Sequence, residues 1–184
     1  LLHEGEIKTT VKKKLLPNYG VFDEVRYFES SDNHQIITIK NQKIGMTICE
    51  DIWNDNPPHQ PLYYINPLGE LRENDVDFIL NVSASPFTFK KQKQREKLLS
   101  DAAQKSNKTI ISINQVGGTD DLIFDGQSCA FNWDGDLIAR AKAFDEDTLI
   151  IDTEVKTKQR IESRLSDEAV IFKALILGTN DYLT

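Results

Sequence analysis

The chain has 184 residues, 39% hydrophobic and 28% charged, with a formal net charge of -7 and an isoelectric point near 5.0. That length supports one domain with a sizeable core and is too short for two ordinary ones. The acidic balance argues against a nucleic-acid binder, which needs a basic footprint.

No apolar run approaches the roughly 20 residues needed to cross a bilayer, and no secretion-signal pattern opens the chain. Cys49 and Cys129 are too few and too far apart for a disulfide framework or a zinc site, so a reduced, cytoplasmic setting is expected. His3, His34 and His59 are scattered singly, which argues against a histidine metal cluster.

In chain order, residues 6–14 (EIKTTVKKK) are rich in β-branched side chains and predict a strand, ended by the turn chemistry of Leu16-Pro17-Asn18-Tyr19-Gly20. Residues 35–40 and 43–49 flank Asn41-Gln42 as a hairpin. Pro57 and Pro58 begin a loop, and Pro61 predicts the start of a short helix through Leu68. Residues 77–82 (DFILNV) are nearly all apolar, as in a strand covered on both faces. Residues 88–106 predict a helix, with Leu98, Leu99, Ala102 and Ala103 facing inward and Lys and Arg on the rest.

Residues 109–116 predict another strand. Residues 127–133 and 137–144 form a hairpin about Asp134-Gly135, and residues 149–153 a further strand. The stretch 156–166 is polar and linker-like, and Ser166-Asp167-Glu168 caps a final apolar helix that runs to near residue 183. This order predicts a mixed α/β sheet covered by the basic helix. The chain does not open with Met and closes on an apolar helix, so both ends are expected to be cuts in a longer protein.

The stretch GMTICEDIW (45–53) sets a thiol after Ile44, Met46 and Ile48 and before Glu50 and Asp51. Cys49 thus falls at the carboxyl end of a predicted strand, where α/β sheets bind ligands. A turn into a short helix there points N–H groups at the sulfur, which favours a thiolate and offers donors to an oxyanion. The competing reading is a core cysteine, a common fate of free thiols.

A nucleophilic thiol needs a base and an oxyanion partner. His59, in its proline-rich loop, is a weak candidate for the base; Lys12, Lys13 and Lys14 offer charge before a turn, although lysine runs are ordinarily solvated faces. Cys129, in the alternating QSCAFNW, reads as core. Lys90, Lys91, Lys93, Arg95 and Lys97 lack interleaved aromatics and read as a solvated face or subunit contact. Glu50 and Asp51 make a weak metal pair, because adjacent carboxylates point different ways.

The blocks KKKLLPNYGVFDE, GMTICEDIW, NVSASP and DDLIFDGQS occur in that order within residues 6–155. Together they resemble the nitrilase (carbon–nitrogen hydrolase) superfamily, and within it the glutaminase domains of glutamine-dependent NAD synthetases. The resemblance implies an α/β fold, the nitrilase-like α-β-β-α sandwich, with its N-terminal portion missing. It implies Cys49 as nucleophile on the glutamine carboxamide. Lys13 would be the catalytic lysine, stabilising the oxyanion with the Glu50 N–H, while Lys12 and Lys14 would be ordinary neighbours. Tyr19 and Glu50 would line the glutamine pocket, Ser85 and Lys91 would hold the amino-acid end, and loop 120–126 would wall the site.

The family's triad also needs a glutamate tens of residues upstream of the lysine. Glu4 and Glu6 do not match it, so the general base is expected to be absent from this chain. Residues 1–158 would be the C-terminal portion of the amidotransferase domain. Residues 159–184 would lead to an ATP-pyrophosphatase domain, of whose SGGxDS loop this chain has none. No cofactor is implied here; ATP and Mg²⁺ belong to the synthetase part. The implied partners are glutamine, the synthetase domain and further copies of the chain, with no nucleic acid and no membrane. Two rivals remain: a stand-alone amidase of the ω-amidase kind, and a domain without a base that only folds or associates.

Overall fold

A computed structural model describes residues 1–33, 36–55 and 63–183. In chain order the strands are β1 (Leu2–His3), β2 (Glu6–Ile7), β3 (Ile36–Ile39), β4 (Gln42–Ile48), β5 (Phe78–Ser83), β6 (Thr109–Asn114), β7 (Val116–Thr119), β8 (Leu122–Asp125), β9 (Cys129–Phe131) and β10 (Leu137–Arg140). The helices are α1 (Pro67–Glu73), α2 (Lys91–Ser106) and α3 (Asp167–Leu183).

A six-stranded sheet in the order β10-β9-β6-β5-β4-β3 forms the centre. Its middle strands, β4, β5 and β6, are parallel, and antiparallel pairs close both ends. The parallel register aligns Thr47 with Asn81 and Asn81 with Ser112.

Helices α1 and α2 bury one face of this sheet. Leu68, Leu71, Leu98, Leu99, Ala102 and Ala103 meet Ile79, Ile110, Cys129 and Phe131 in one cluster. Gly45 permits the close approach of α1: a Cβ there would stand 3.1 Å from Leu71. The opposite face carries two registered apolar rows, Met46-Leu80-Ile111 and Ile48-Val82-Ile113. Leu149 and Ile151 pack over the β9–β10 end of the sheet, against Ala130, Ile138 and Ala139. Val82 and Ile113 stay 42% and 45% exposed. The run 77–82 is apolar on both faces as expected, but among the described residues only the helical face is fully covered.

Several elements differ from expectation. Only Glu6 and Ile7 of the 6–14 stretch are in a strand, paired with β1; the lysine segment that follows carries no ladder. The hairpin tip is Lys40-Asn41, with φ of 48° and 67° and Ile39 opposite Gln42, because a two-residue turn of primed type needs both residues left-handed. Helix α1 begins at Pro67, where Asn66 accepts from the Gly69 N–H at 3.0 Å. The expected helix start at Pro61, the proline pair and His34 and His59 lie outside the described residues.

Helix α2 starts at Lys91, three residues later than expected, and its predicted apolar stripe is buried. Arg95 corrects the picture of a wholly solvated basic face: it is 4% exposed, with Nη2 on both Asp125 oxygens at 3.1 and 3.0 Å. Residues 149–153 form no strand. The 156–166 stretch is pinned rather than free: Arg140 Nη1 donates to Glu162 O at 2.8 Å, and Arg164 pairs with Glu96. Ser166 Oγ accepts from the Ala169 N–H at 3.3 Å, as its capping chemistry predicts. Helix α3 then rests on the β7–β8 hairpin, and Asp181 accepts from the Gly118 N–H at 2.7 Å.

Candidate active site

Strand β4 delivers Cys49 to the carboxyl edge of the sheet, and a 3-10 helix, Cys49–Asp55, begins there. Cys49 has φ of 45°. A left-handed non-glycine residue costs about 1–3 kcal/mol and persists where the surrounding fold over-determines it. Such a strand-to-helix elbow lifts a side chain off the sheet edge, as nucleophile elbows do. The thiol is half-buried, and burial pushes its pKa up, against the opposing pull of Lys13 and Lys91.

Lys13 reaches the same cavity from the segment before the LPNYG turn. Its Nζ donates to both Glu24 oxygens at 2.6 Å, and the two side chains are only 14% and 25% exposed. Cys49, Lys13 and Glu24 line a cavity of about 610 Å³, together with Phe22, Ile48 and Ala84. Lys14, expected to be an ordinary neighbour, is 5% exposed and pairs with Glu70 of α1.

The adjacent carboxylates diverge, as expected of neighbours. Glu50 is 3% exposed and accepts from the phenols of Tyr19 at 2.7 Å and Tyr63 at 3.2 Å. Burial and the adjoining Glu50 charge push both phenols well above their usual range, so they stay donors. Asn54 holds Tyr63 in place, donating to Tyr63 O at 3.0 Å and accepting its N–H at 3.3 Å. Asp51 turns the other way, into backbone. Among the described residues no cluster could hold a metal ion.

Lys91 opens α2 with Nζ on Pro86 O at 3.0 Å and 5.9 Å above the Trp53 ring. Burial lowers its pKa, and Arg95 adds to that. Ser85 is buried just beyond the lining residue Ala84, its N–H donating to Asn114 Oδ1 at 2.9 Å. Lys13 thus lines the cavity with Cys49, Tyr19, Glu50 and Lys91 lie close enough to interact electrostatically with the thiol, and Ser85 is buried and is not a lining residue. The 120–126 loop is the β7–β8 hairpin and does not line the cavity; it reaches the site indirectly, through Asp125 on Arg95 and Ile123 O on the Phe87 N–H.

Cys129 is 2% exposed and burial pushes its pKa up to about 12, in keeping with a core role. Sequence reasoning missed Glu24 and Tyr63 as members of the site. Glu24 sits inside the LPNYGVFDE block, but only the fold of that turn brings it back to Lys13. Tyr63 carries no local signal at all.

A nitrilase-type fold with a thiol elbow and a carboxylate-held lysine has its counterpart among known proteins. The carbon–nitrogen hydrolase family model matches residues 3–162, and the chain belongs to that family. A glutamine-dependent NAD(+) synthetase of Synechocystis sp. is 42% identical over 189 residues, covering 100% of this chain and 34% of its own length. One from Acinetobacter baylyi is 34% identical over 187 residues, covering 100% and 33%. The solved glutamine-dependent NAD+ synthetase of Acinetobacter baumannii superposes with a TM-score of 0.86 at 35% identity, covering 99% of this chain and 34% of that one. A carbon–nitrogen hydrolase of Helicobacter pylori shares the fold, with a TM-score of 0.64 at 22% identity over 78% of this chain and 51% of its own. The chain spans about a third of the length of the curated relatives it matches.

Proposed function

We propose that this chain supplies the nucleophile and the lysine with which the protein to which it belongs hydrolyses the side-chain amide of glutamine, and that the ammonia serves NAD synthesis there. The observation that carries the proposal is the meeting of the Cys49 elbow and the Glu24-held Lys13 ammonium at one cavity. The thiol proton passes to a carboxylate base, the triad glutamate that the resemblance puts upstream of Lys13. The sulfur then attacks the carboxamide carbon, and the ammonium of Lys13 lies beside the oxygen as charge develops there. Collapse of the adduct expels ammonia, which takes the proton from the base, and leaves a glutamyl thioester. Water hydrolyses the thioester to glutamate and restores the thiol.

Glu24 has both oxygens on Lys13, so its role is to hold and aim the ammonium. Tyr19, Glu50 and Lys91 are suited to the substrate's ammonium and carboxylate, with Ser85 in support. In the parent, the ammonia would amidate adenylated nicotinate adenine dinucleotide in an ATP- and Mg²⁺-dependent domain, within a cytoplasmic homo-oligomer. A stand-alone amidase finds less support, because the relatives at 34–42% identity named above are synthetases about three times this chain's length.

The test is Cys49→Ala in the full-length protein. Glutamate release from glutamine should fall at least about 10⁴-fold, as on removal of other covalent nucleophiles, while ammonia-driven NAD formation persists. Glutamine hydrolysis that survives the substitution overturns the assignment.

A further inference from the structure

Cys49 and Lys13 come from parts of the chain that share no strand pairing. Among the described residues, strand β4 pairs with β3 and β5 only, and the segment carrying Lys13 has no ladder. Beside the Tyr19–Glu50 bond, one buried carboxylate takes hold of the backbone of both. Asp51 is 0% exposed. Its Oδ1 accepts the N–H groups of Lys14 at 3.0 Å and Leu15 at 2.8 Å, and its Oδ2 accepts the N–H of Ile48 at 2.9 Å. Those donors directly follow Lys13 on one segment and directly precede Cys49 on the other.

We propose that Asp51 is the positioning residue of the pair: one buried carboxylate fastens the backbone beside the lysine to the backbone beside the thiol, and so sets the separation of Nζ and Sγ. The inference rests on the reading of Cys49 and Lys13 given above. Three N–H groups converging on two oxygens is a geometry that only a carboxylate matches, since it accepts at both ends and donates at neither. An amide at this position keeps one acceptor and turns its NH₂ toward an N–H. The side released is then the lysine segment, which has no ladder to hold it, whereas the elbow stays on a strand paired at both edges. Glu50, one residue earlier, cannot substitute, because its carboxylate is turned to the tyrosines. The requirement for charge at position 51 is thus distinct from that at position 50.

The Ser30 and Ser31 contacts hold the lysine segment from the other side, with Ser31 N–H on Lys13 O at 3.2 Å and Ser30 Oγ on Lys14 O at 2.5 Å. Neither of them reaches the elbow. Asp51 therefore adjusts one element against the other, and its loss acts on catalysis through Lys13.

The experiment is a double-mutant cycle in the full-length protein, with Asp51→Asn, Lys13→Met and the pair, read by steady-state glutamine hydrolysis and by iodoacetamide labelling of Cys49, which needs no turnover. Asp51→Asn should lower kcat about 10²-fold, the scale of a misplacement near 1 Å, with KM little changed. In the Lys13→Met background the same substitution should change both readouts by no more than about twofold, the scatter expected of independent sites. A full Asp51→Asn effect that persists without Lys13, or an unchanged kcat, overturns the clamp while leaving Cys49 and Lys13 in their roles. Activity retained by Cys49→Ala overturns the underlying reading instead. Should Asp51→Asn fail to fold, Asp51→Glu keeps the charge and displaces it by one methylene. It must show the same loss of kcat and the same dependence on Lys13, and failure to do so overturns the clamp.

Discussion

The two sides of the cavity are held in different ways. The cysteine side rides on β4, a strand paired on both edges, over a core of Leu68, Leu99, Ile79 and Ile110, each at most 1% exposed. The lysine side is a segment that anchors Leu15 at 1% exposed and leaves Val21, Val25, Tyr27 and Phe28 57–70% exposed. Its position depends on polar bonds: Lys13 to Glu24, Ser31 to Lys13 O, and Asp51 to two N–H groups. Placing the nucleophile is thus a property of global stability, whereas placing the cation is a property of a few local contacts. Damage to the first side should unfold the protein, and damage to the second should leave it folded and slow.

The largest effect on stability is expected from the buried pairs beneath the sheet side. Glu96 accepts from Arg140 at 2.7 and 3.1 Å, from Gln92 at 2.8 Å and from Arg164. Glu96→Gln leaves two arginines short of a counter-charge and should cost about 3–5 kcal/mol at neutral pH by denaturant titration. Burial opposes ionisation of Glu96, but the arginine and glutamine hydrogen bonds outweigh it and hold its pKa below the usual 4.5. A depressed folded pKa gives stability that is full above the unfolded value and lost as pH falls through the folded one. The gap between wild type and variant should therefore narrow below about pH 4; a gap that is constant down to pH 3 would contradict this reading of the network.

On the other side, Lys13→Met should reduce kcat for glutamine hydrolysis by about 10²–10³-fold, the usual effect of losing one oxyanion partner. Its melting temperature should move little. Lys13 also pulls the Cys49 pKa down against burial, so the variant's alkylation profile should shift to higher pH. A large drop in melting temperature would erase the contrast between the two sides.

The smallest effect is expected of Tyr63→Phe. One of two phenol bonds to Glu50 is lost while Tyr19 keeps the shorter one, so about 0.5–1.5 kcal/mol is at stake. This should raise KM severalfold with kcat unchanged. A fall in kcat alone would place Tyr63 in the chemistry instead.

Much of this was legible in the residues. The stripe Leu98, Leu99, Ala102 and Ala103, the runs that became β5 and β6, and the Ser166 cap follow from periodicities and capping preferences that act over a few residues. Cys49 at a strand end was equally local. Arg95 shows where such reasoning fails. In sequence it is one of five basic residues of a helix, yet Asp125, thirty positions on, draws it inside. The 6–14 stretch fails for a related reason: β-branched residues favour extended backbone, but a strand exists only where a partner supplies the ladder, and after Ile7 none does. Residues 149–153 alternate as a strand would and instead lay Leu149 and Ile151 over the sheet without pairing.

By itself, the sequence determined the chemistry available: one thiol in an elbow-forming context, a lysine before an LPNYG turn, and an apolar alternation that builds a parallel sheet. Those are short-range facts, set by neighbours along the chain. Tertiary structure alone decided that Glu24 returns to Lys13, that Tyr63 joins Tyr19 on Glu50, and that Asp51 ties the two sides together. Apart from the Asp51 bond to Ile48, these bonds join residues 11 to 37 positions apart, and their geometry arises only when loop closure and burial bring distant backbone into register.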